Sequence, residues 1–511
     1  MKRCATLVMF AILGLLNLLA VAGAQAVGSS PCTGPNGSRF NLEPRPNAVV
    51  QAAQSVAVLP SRAAPGIDLV LATATEQRGI GPDGFYVQRS TTACKPDLEG
   101  GLPLISNVFD TFAPFGTAMA AADPVHDAFF IADLRFGLTT DDNGVGIVRT
   151  SAAQLLDKAA CPDGTQASGS APCFTAASVF NITTLNAFLS NPLIAVDQRT
   201  KGTGAGDVYS VVTQADPNNT LHTAIFLMAC RNADLNCSNS IKISAGDLEG
   251  DFAWVQVRPD GGITVSYRNT SFPGINPEDI KFVRCTANGA PNAPTCSAPV
   301  LVTREKSPIF ASFIGDVPMD DQLFPQHAHR LESGGTVATF LVYDRCAAPV
   351  IAFGFVSDFC PKTEVVMTSS TDDGKTWSPI SKVTSSSGQQ FFGAIATDES
   401  TGTVNIAYYS TEHDPFQQRP QVFLAQVAPG MTAPGTPHLL TSASADAQAS
   451  SPLITQFAPA GFGNRIGLAA AGTGTIGQSH AYVGFTWNSA FGTYGGVPMP
   501  DMNNHLTLLQ Y

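Results

Sequence analysis

The chain has 511 residues, with 28 Lys and Arg against 40 Asp and Glu, for a net charge of -12. That balance excludes a nucleic-acid partner, whose phosphates require a basic footprint, and with it an anionic membrane surface. With 44% hydrophobic but only 13% charged residues, 46 Gly and 36 Pro, the chain is globular, turn-rich and poor in helix formers. It is also longer than the ~250 to 300 residues one core normally serves, so several domains or a repeat must carry it.

Residues 1–26 have the layout of an export signal: Lys2 and Arg3, an apolar run from Leu7 to Val21, and the small-residue site Ala24-Gln25-Ala26. Cleavage there leaves a mature chain of residues 27–511, read as one domain, in an oxidising extracellular or periplasmic setting. No later stretch reaches ~18 consecutive apolar residues, so no membrane span is expected in the mature chain. Cys4 lies in the charged start of the signal, too early for lipid attachment. Its removal leaves ten of eleven cysteines, an even number with room for five disulfides.

The mature chain repeats one plan: two antiparallel strands joined by a tight polar turn, a third strand, a polar hairpin and a short closing strand. The first unit contains "IDLVLAT" (67–73) and "GFYVQRS" (84–90). The next five open with "GTAMAAADPVHDAFFIADLR" (116–135), "PLIAVDQRTKGTGAGDVYSVV" (192–212), "AWVQVRPDGGITVSYRN" (253–269), "QHAHRLESGGTVATFLVYD" (326–344) and "FGAIATDESTGTVNIAYYS" (392–410). Their third strands are "VGIVRTS" (145–151), "TAIFLMACR" (223–231), "DIKFVRCT" (279–286), "TEVVMTSS" (363–370) and "PQVFLAQV" (420–427). A last unit holds "NRIGLAA" (464–470) and "HAYVGFTW" (480–487). Four strands per unit, recurring without a linker, predict an all-β fold, a β-propeller of about seven blades, alternatively six. A pair of β-sandwiches would share the strand-and-turn pattern but not the unbroken recurrence.

Between the third and fourth strands of the fifth full unit lies "SSTDDGKTWSPI" (369–380), in which Ser370, Asp372, Gly374, Thr376 and Trp377 follow the order S-x-D-x-G-x-T-W. There Asp372 is expected to accept backbone N–H groups, Gly374 to take positive φ, and Trp377 to bury its ring in the blade. This stretch resembles the Asp box, or bacterial neuraminidase repeat, of sialidase-like propellers. In that family the box lies at the blade periphery, so these five residues are expected to be scaffold. Other hairpins carry cysteines instead. The short loops they close predict Cys161–Cys173, Cys230–Cys237 and Cys285–Cys296; Cys346 and Cys360 bracket an insertion, and Cys32 with Cys94 follows by elimination.

Propeller ligands bind where the innermost strands begin and where the loops between second and third strands meet. Those positions hold Asp133 and Arg135, Arg268, Tyr343, Asp344 and Arg345, Tyr409 and Glu412, with Asp320 and Asp321 leading into His327, His329 and Arg330. Carboxylates, arginines and tyrosines on one rim suit a polar ligand such as a sugar. His327 and His329 share one strand face and could bind a metal with Asp320 or Asp321. Lacking a third firm ligand they are expected to be packed and hydrogen-bonded, and no metal or cofactor is expected.

The resemblance implies one enzymatic option, a retaining exo-sialidase with a Tyr nucleophile, a Glu partner, an Asp acid/base and three Arg on the sugar carboxylate. Arg330, Arg345 and Arg465 are the candidates for the clamp, and Tyr409 or Tyr482 for the nucleophile. No F/Y-R-I-P motif marks the mature N-terminus, where "SRFNLEPRP" (38–46) is a poor substitute. The expectation is therefore a secreted sialidase-like propeller that binds a glycan or an extracellular protein and lacks a complete catalytic set. A sialidase-type glycoside hydrolase is the alternative.

Overall fold

The computed structural model describes residues 40–41, 51–60, 67–76, 81–90, 96–102, 112–114, 118–137, 143–157, 174–181, 189–216, 219–247, 249–270, 278–305, 312–314, 317–319, 324–347, 351–352, 355–356, 360–441, 465–472, 479–494 and 497–511. Strands such as Val208–Asp216 and Val337–Cys346 are rich in β-branched and aromatic residues and buried on both faces. A strand reaches that state only when further layers cover its sheet on each side.

Among the described residues, seven sheets of four or five strands provide that cover by stacking face to face. Blade 1 is Gln51–Pro60, Ile67–Glu76, Gly81–Ser90 and Pro96–Leu102. Blade 2 is Met119–Asp123, Ala128–Gly137, Asn143–Ser151 and Ala176–Asn181, with Phe112–Pro114 also paired to its second strand. Blade 3 is Leu189–Val196, Val208–Asp216, Asn219–Cys230 and Ile241–Lys242. Blade 4 is Gly250–Val257, Ile263–Asn269, Glu278–Thr286 and an outer edge shared by Thr295–Cys296 and Val300–Glu305. Blade 5 is Gln326–Leu331, Val337–Cys346, Thr363–Ser370 and Ser381–Lys382. Blade 6 is Gln390–Asp398, Thr403–Ser410, Gln421–Val427 and His438–Leu439. Blade 7 is Gly467–Ala471, His480–Tyr494 and Val497–Gln510.

The ring closes twice. Each inner strand touches the next, and the inner strand of blade 1 touches those of both blade 2 and blade 7. The outer strand of blade 7 is Phe40–Asn41, where Phe40 pairs with Leu506 and Asn41 with His505, so the two ends of the chain share one sheet. The stretch 38–46, which the sequence offered only as a weak arginine motif, thus contributes a strand to the closure. Close approach at this seam needs a missing side chain: a Cβ on Gly467 would stand 2.9 Å from the carbonyl carbon of Ser55.

The expected staples occupy the expected loops. Cys230–Cys237 and Cys285–Cys296 close the outer hairpins of blades 3 and 4, and Cys346–Cys360 closes the insertion of blade 5. The remaining two predicted bonds, Cys161–Cys173 and Cys32–Cys94, lie outside the described residues. Replacing Cys230 and Cys237 together by Ser is expected to lower the unfolding free energy by about 2–3 kcal/mol, the loop-closure entropy of so short a ring. Denaturant unfolding of the non-reduced double variant checks this.

The turn at Ser370–Trp377 is held as its residues suggest. Asp372 accepts from the Thr376 amide (2.9 Å) and hydroxyl (2.6 Å), and Ser370 accepts from the Gly374 amide (2.9 Å). These donors, the Thr376 hydroxyl first, hold the Asp372 carboxyl down at about 2. Gly374 sits at φ +74, and a Cβ there would strike the Phe282 ring at 2.5 Å. Trp377 is only half-buried rather than sunk in its own blade, meeting Phe282 of blade 4 edge-on at 5.2 Å. With Arg258 bonded to Asp373 at 2.7 Å, the turn clamps blade 5 to blade 4.

Candidate functional site

Inner strands rich in Ala and Gly, such as Met119–Asp123 (MAAAD) and Gly467–Ala471 (GLAAA), leave the axis of the ring open. The result is a cavity of about 360 Å³ lined by the inner strands of all seven blades. Its two ends differ. Where the inner strands finish, the buried carboxylates Asp123, Asp197 and Asp398 are consumed by the local turns. Asp123 accepts from the Val125 amide (2.8 Å) and Asn232 (2.7 Å), Asp197 from Arg199 (2.7 Å), and Asp398 from Ser400 (2.6 Å) and Thr401 (2.7 Å).

At the opposite end, where the inner strands begin, the register slips in several blades. Shifts fall between Ala52 and Ser55, Ser190 and Leu193, Asp251 and Trp254, and Phe391 and Ala394. Three of these bulges place a residue other than glycine in the left-handed region: Asn191 (φ 49), Phe252 (φ 50) and Phe392 (φ 56). Bulges of this kind re-aim side chains, and strained backbone gathers where a surface is shaped for a task. Aromatic rings gather beside one of them. Phe324 meets Phe252 at 5.6 Å and Trp254 at 6.0 Å, both edge-on. The Trp254 indole is fixed by donating to the His327 carbonyl (3.1 Å) and lines the cavity.

Arg465 enters this aromatic corner from blade 7. It is 2% exposed, lines the cavity, and its Nε, Nη1 and Nη2 have no hydrogen-bond partner among the described residues. Its guanidinium stands 5.6 Å from the Phe324 ring centre. Burial lowers its pKa to about 10, which still leaves it cationic at neutral pH. A second cation, Arg268, lies 4.4 Å from the Phe252 ring and 3.8 Å from Glu278, whose carboxyl burial pushes up. Chemically, the corner holds a buried guanidinium with no hydrogen-bond partner among the described residues, at the edge of the cavity that Trp254 also lines. It could take a carboxylate or sulfate in bidentate fashion with an adjoining sugar ring against the aromatics.

The other rim residues expected from sequence do not converge there. Asp133 and Arg135 form a buried ion pair in blade 2 (2.7 Å), with burial raising Asp133 to about 6 against the pull of the arginine. Tyr343 donates to Glu305 of blade 4 (2.5 Å), and Arg345 pairs with Glu364 on the neighbouring strand of its own blade (2.8 Å). Strand alternation turns these two sideways and sends Asp344 to the blade 6 side, where it accepts from the Gly393 amide (3.3 Å). Tyr409 stacks on Phe391 at 5.1 Å, its hydroxyl bonded to the Thr486 carbonyl (2.9 Å), and burial raises its pKa. Glu412 accepts from Ser410 (3.1 Å).

Arg330 is placed elsewhere. It lies near the far end of its inner strand, bonded to Glu332 and to the carbonyls of Ala428 and Met431, because that strand runs away from the mouth. Arg330, Arg345 and Arg465 therefore do not form a clamp. Tyr482, the other nucleophile candidate, is buried with its hydroxyl on Asp68.

His327 and His329 do share a face, but it is the one packed on blade 4. His327 bonds to Ser266 (2.8 Å) and Thr264 (2.8 Å), and His329 to Thr264 (2.7 Å) and Thr339 (3.0 Å). Burial drives His329 down to about 3 and His327 well below its usual value, with His329 adding to the latter. Asp320 and Asp321 lie outside the described residues. Among the described residues no group of three or more His, Cys, Asp or Glu could hold a metal ion, and no helix is long and apolar enough to cross a membrane.

The sequence reading missed Trp254, Phe252 and Phe324. The alanine-rich inner strands of blades 2 and 7, with a tryptophan in that of blade 4, are the available signal for an open channel with an aromatic residue on its wall.

No protein-family model and no curated protein matches the chain. Among solved structures it is similar to the polysaccharide lyase Uly1, at 12% identity and a TM-score of 0.45 over 96% of this chain and 94% of that one. It is also similar to a protein of unknown function from Dyadobacter fermentans (9%, TM-score 0.41, 94% and 100% covered) and to the Hadza microbial sialidase Hz136 (9%, 0.38, 87% and 77%). At such identities, and with TM-scores below 0.5, these likenesses carry nothing about the chemistry of this chain.

Proposed function

We propose that the protein is an exported propeller that binds an acidic glycan at the Arg465 end of its channel. It acts there as a recognition module, with the Ser370–Trp377 turn serving as an Asp box of purely structural role. The observation that supports this reading is Arg465, a cation buried without a partner among the described residues, lining the same cavity as Trp254 and lying 5.6 Å from the Phe324 ring. A buried charge is costly unless something completes it, and an anionic group on a ring-shaped ligand completes both the charge and the walls. Export is supported by the leader-like residues 1–26 and by three disulfides in the described blades.

The test is calorimetry of residues 27–511 with uronate- or sialate-bearing oligosaccharides against neutral analogues of equal length. Acidic sugars are expected to bind and neutral ones not. Trp254→Ala is expected to weaken binding about tenfold, the value of one aromatic stack. Equal binding of neutral sugars, or wild-type affinity in Trp254→Ala, would refute the reading.

A further inference from the structure

In blade 6 the inner strand breaks register between Phe391 and Ala394 and carries Phe392 at φ 56. A bulky residue held there costs about 1–2 kcal/mol and persists only where its surroundings enforce it. The enforcing group comes from blade 5. Asp344 accepts the amides of Phe392 and of Gly393, the latter at 3.3 Å, and two successive N–H groups converging on one anion form a small nest.

The bulge carries Phe391 and Phe392 into one apolar cluster with Tyr409 and Ile466. Phe391 stacks on Tyr409 at 5.1 Å, and Phe392 meets both rings edge-on at 5.2 and 6.1 Å. Ile466 is the residue next to Arg465, which joins this cluster to the guanidinium's own strand.

We propose that Asp344 is a positioning residue of the channel mouth: its charge fastens the Phe392–Gly393 bulge, and through Ile466 it sets how well Arg465 meets an anionic ligand, so affinity follows pH. This rests on the reading of the mouth as an acidic-glycan site. Among the described residues, the groups around Asp344 leave it to titrate by itself. Val365 lies across from it on its own sheet, and Gln390 of blade 6 bonds to the Val365 amide. Phe391, Phe392 and Gly393 are uncharged, and the Tyr409 hydroxyl is committed to Thr486. Arg345, Glu364 and Glu305 pair with one another on the opposite face of the strand. Burial raises Asp344 to about 6 against the pull of the two amides, which puts its change of charge inside the accessible range. Opening of the bulge alone leaves Asp344 buried and removes only the two amides, which favour its ionised form, so protonation weakens the bulge even though it stabilises the fold against complete unfolding.

Two measurements on the full mature chain decide the proposal. Without ligand, hydrogen–deuterium exchange of peptides spanning 390–396, corrected for intrinsic rates, is expected to show protection falling as pH drops from 7 to 5, and no such change in Asp344→Asn. With a uronate oligosaccharide, wild-type affinity is expected to fall roughly fivefold or more over the same interval, and that of Asp344→Asn to stay flat. Protection independent of pH, or equal pH slopes of affinity in the two proteins, would overturn the proposal. Because the exchange arm needs no ligand, absence of any acidic-glycan binding would fall on the proposed function alone. The bulge would then still be judged by exchange.

Discussion

Replacing Arg465 by methionine is expected to make the protein more stable and unable to hold an acidic ligand. Arg465 is 2% exposed and, among the described residues, has no partner for any of its three nitrogens, so the folded state carries an uncompensated buried charge. Substituting buried ionic groups with apolar side chains of similar volume stabilises by about 1–4 kcal/mol where the packing accepts the replacement. Ile466 and the Phe324 ring already offer an apolar lining. The same change removes the only charge-assisted donors proposed for the ligand, a loss of about 3 kcal/mol or more than a hundredfold in affinity. Arg465→Lys keeps the charge but not the fork and is expected to fall between the two. Denaturant unfolding and calorimetry on the three proteins give the answer. If methionine destabilises the fold, the guanidinium is a structural group, and its place as the ligand's counter-charge is lost.

A second large effect concerns pH. Asp344 and Asp133 have folded pKa values raised by burial to about 6 from 3.8. A raised carboxylate contributes stability that is complete below its unfolded value and lost as pH climbs through the folded one. Each is worth about 3 kcal/mol between pH 7 and 4. His329 is the reverse case, lowered by burial to about 3 from 6.5, with His327 lowered alongside it. Their stabilising share is present above pH 6.5 and drains away as pH falls toward the folded value, again by about 3 kcal/mol for His329 down to pH 4. The two pairs oppose one another, so the wild type is expected to show a nearly level stability from pH 7 to 4.5. Asp344→Asn removes one acid-favouring member, and its stability is expected to fall on acidification by about 3 kcal/mol relative to wild type. His329→Gln is expected to rise by a similar amount relative to its own value at pH 7. Parallel pH curves for all three proteins would show that these buried groups do not titrate as described.

The site was only partly legible in the chain. Asp133 lies in the middle of its second strand, and Tyr343 and Arg345 lie toward the end of theirs. Whether a strand-end side chain looks along the axis or sideways depends on the pleat and on the neighbouring blade, and here Tyr343 and Arg345 look sideways at Glu305 and Glu364. Arg465 was named only as one member of an arginine clamp. Its isolation, which is what makes it informative, is a property of what is absent around it in space. The bulges at Phe252 and Phe392 had no local signature, since neither position carries the glycine that a left-handed backbone normally invites.

Strand periods, polar turns and cysteine spacings are local, and they were enough to define the repeating four-strand unit and the short disulfide loops, because each depends on residues a few places apart. Closure of the ring on Phe40–Asn41, the channel left by the small inner residues, and the meeting of Arg465 with Trp254 and Phe324 join segments hundreds of residues apart. Contacts of that kind follow from how seven sheets stack around one axis, so no short window of the chain could contain them.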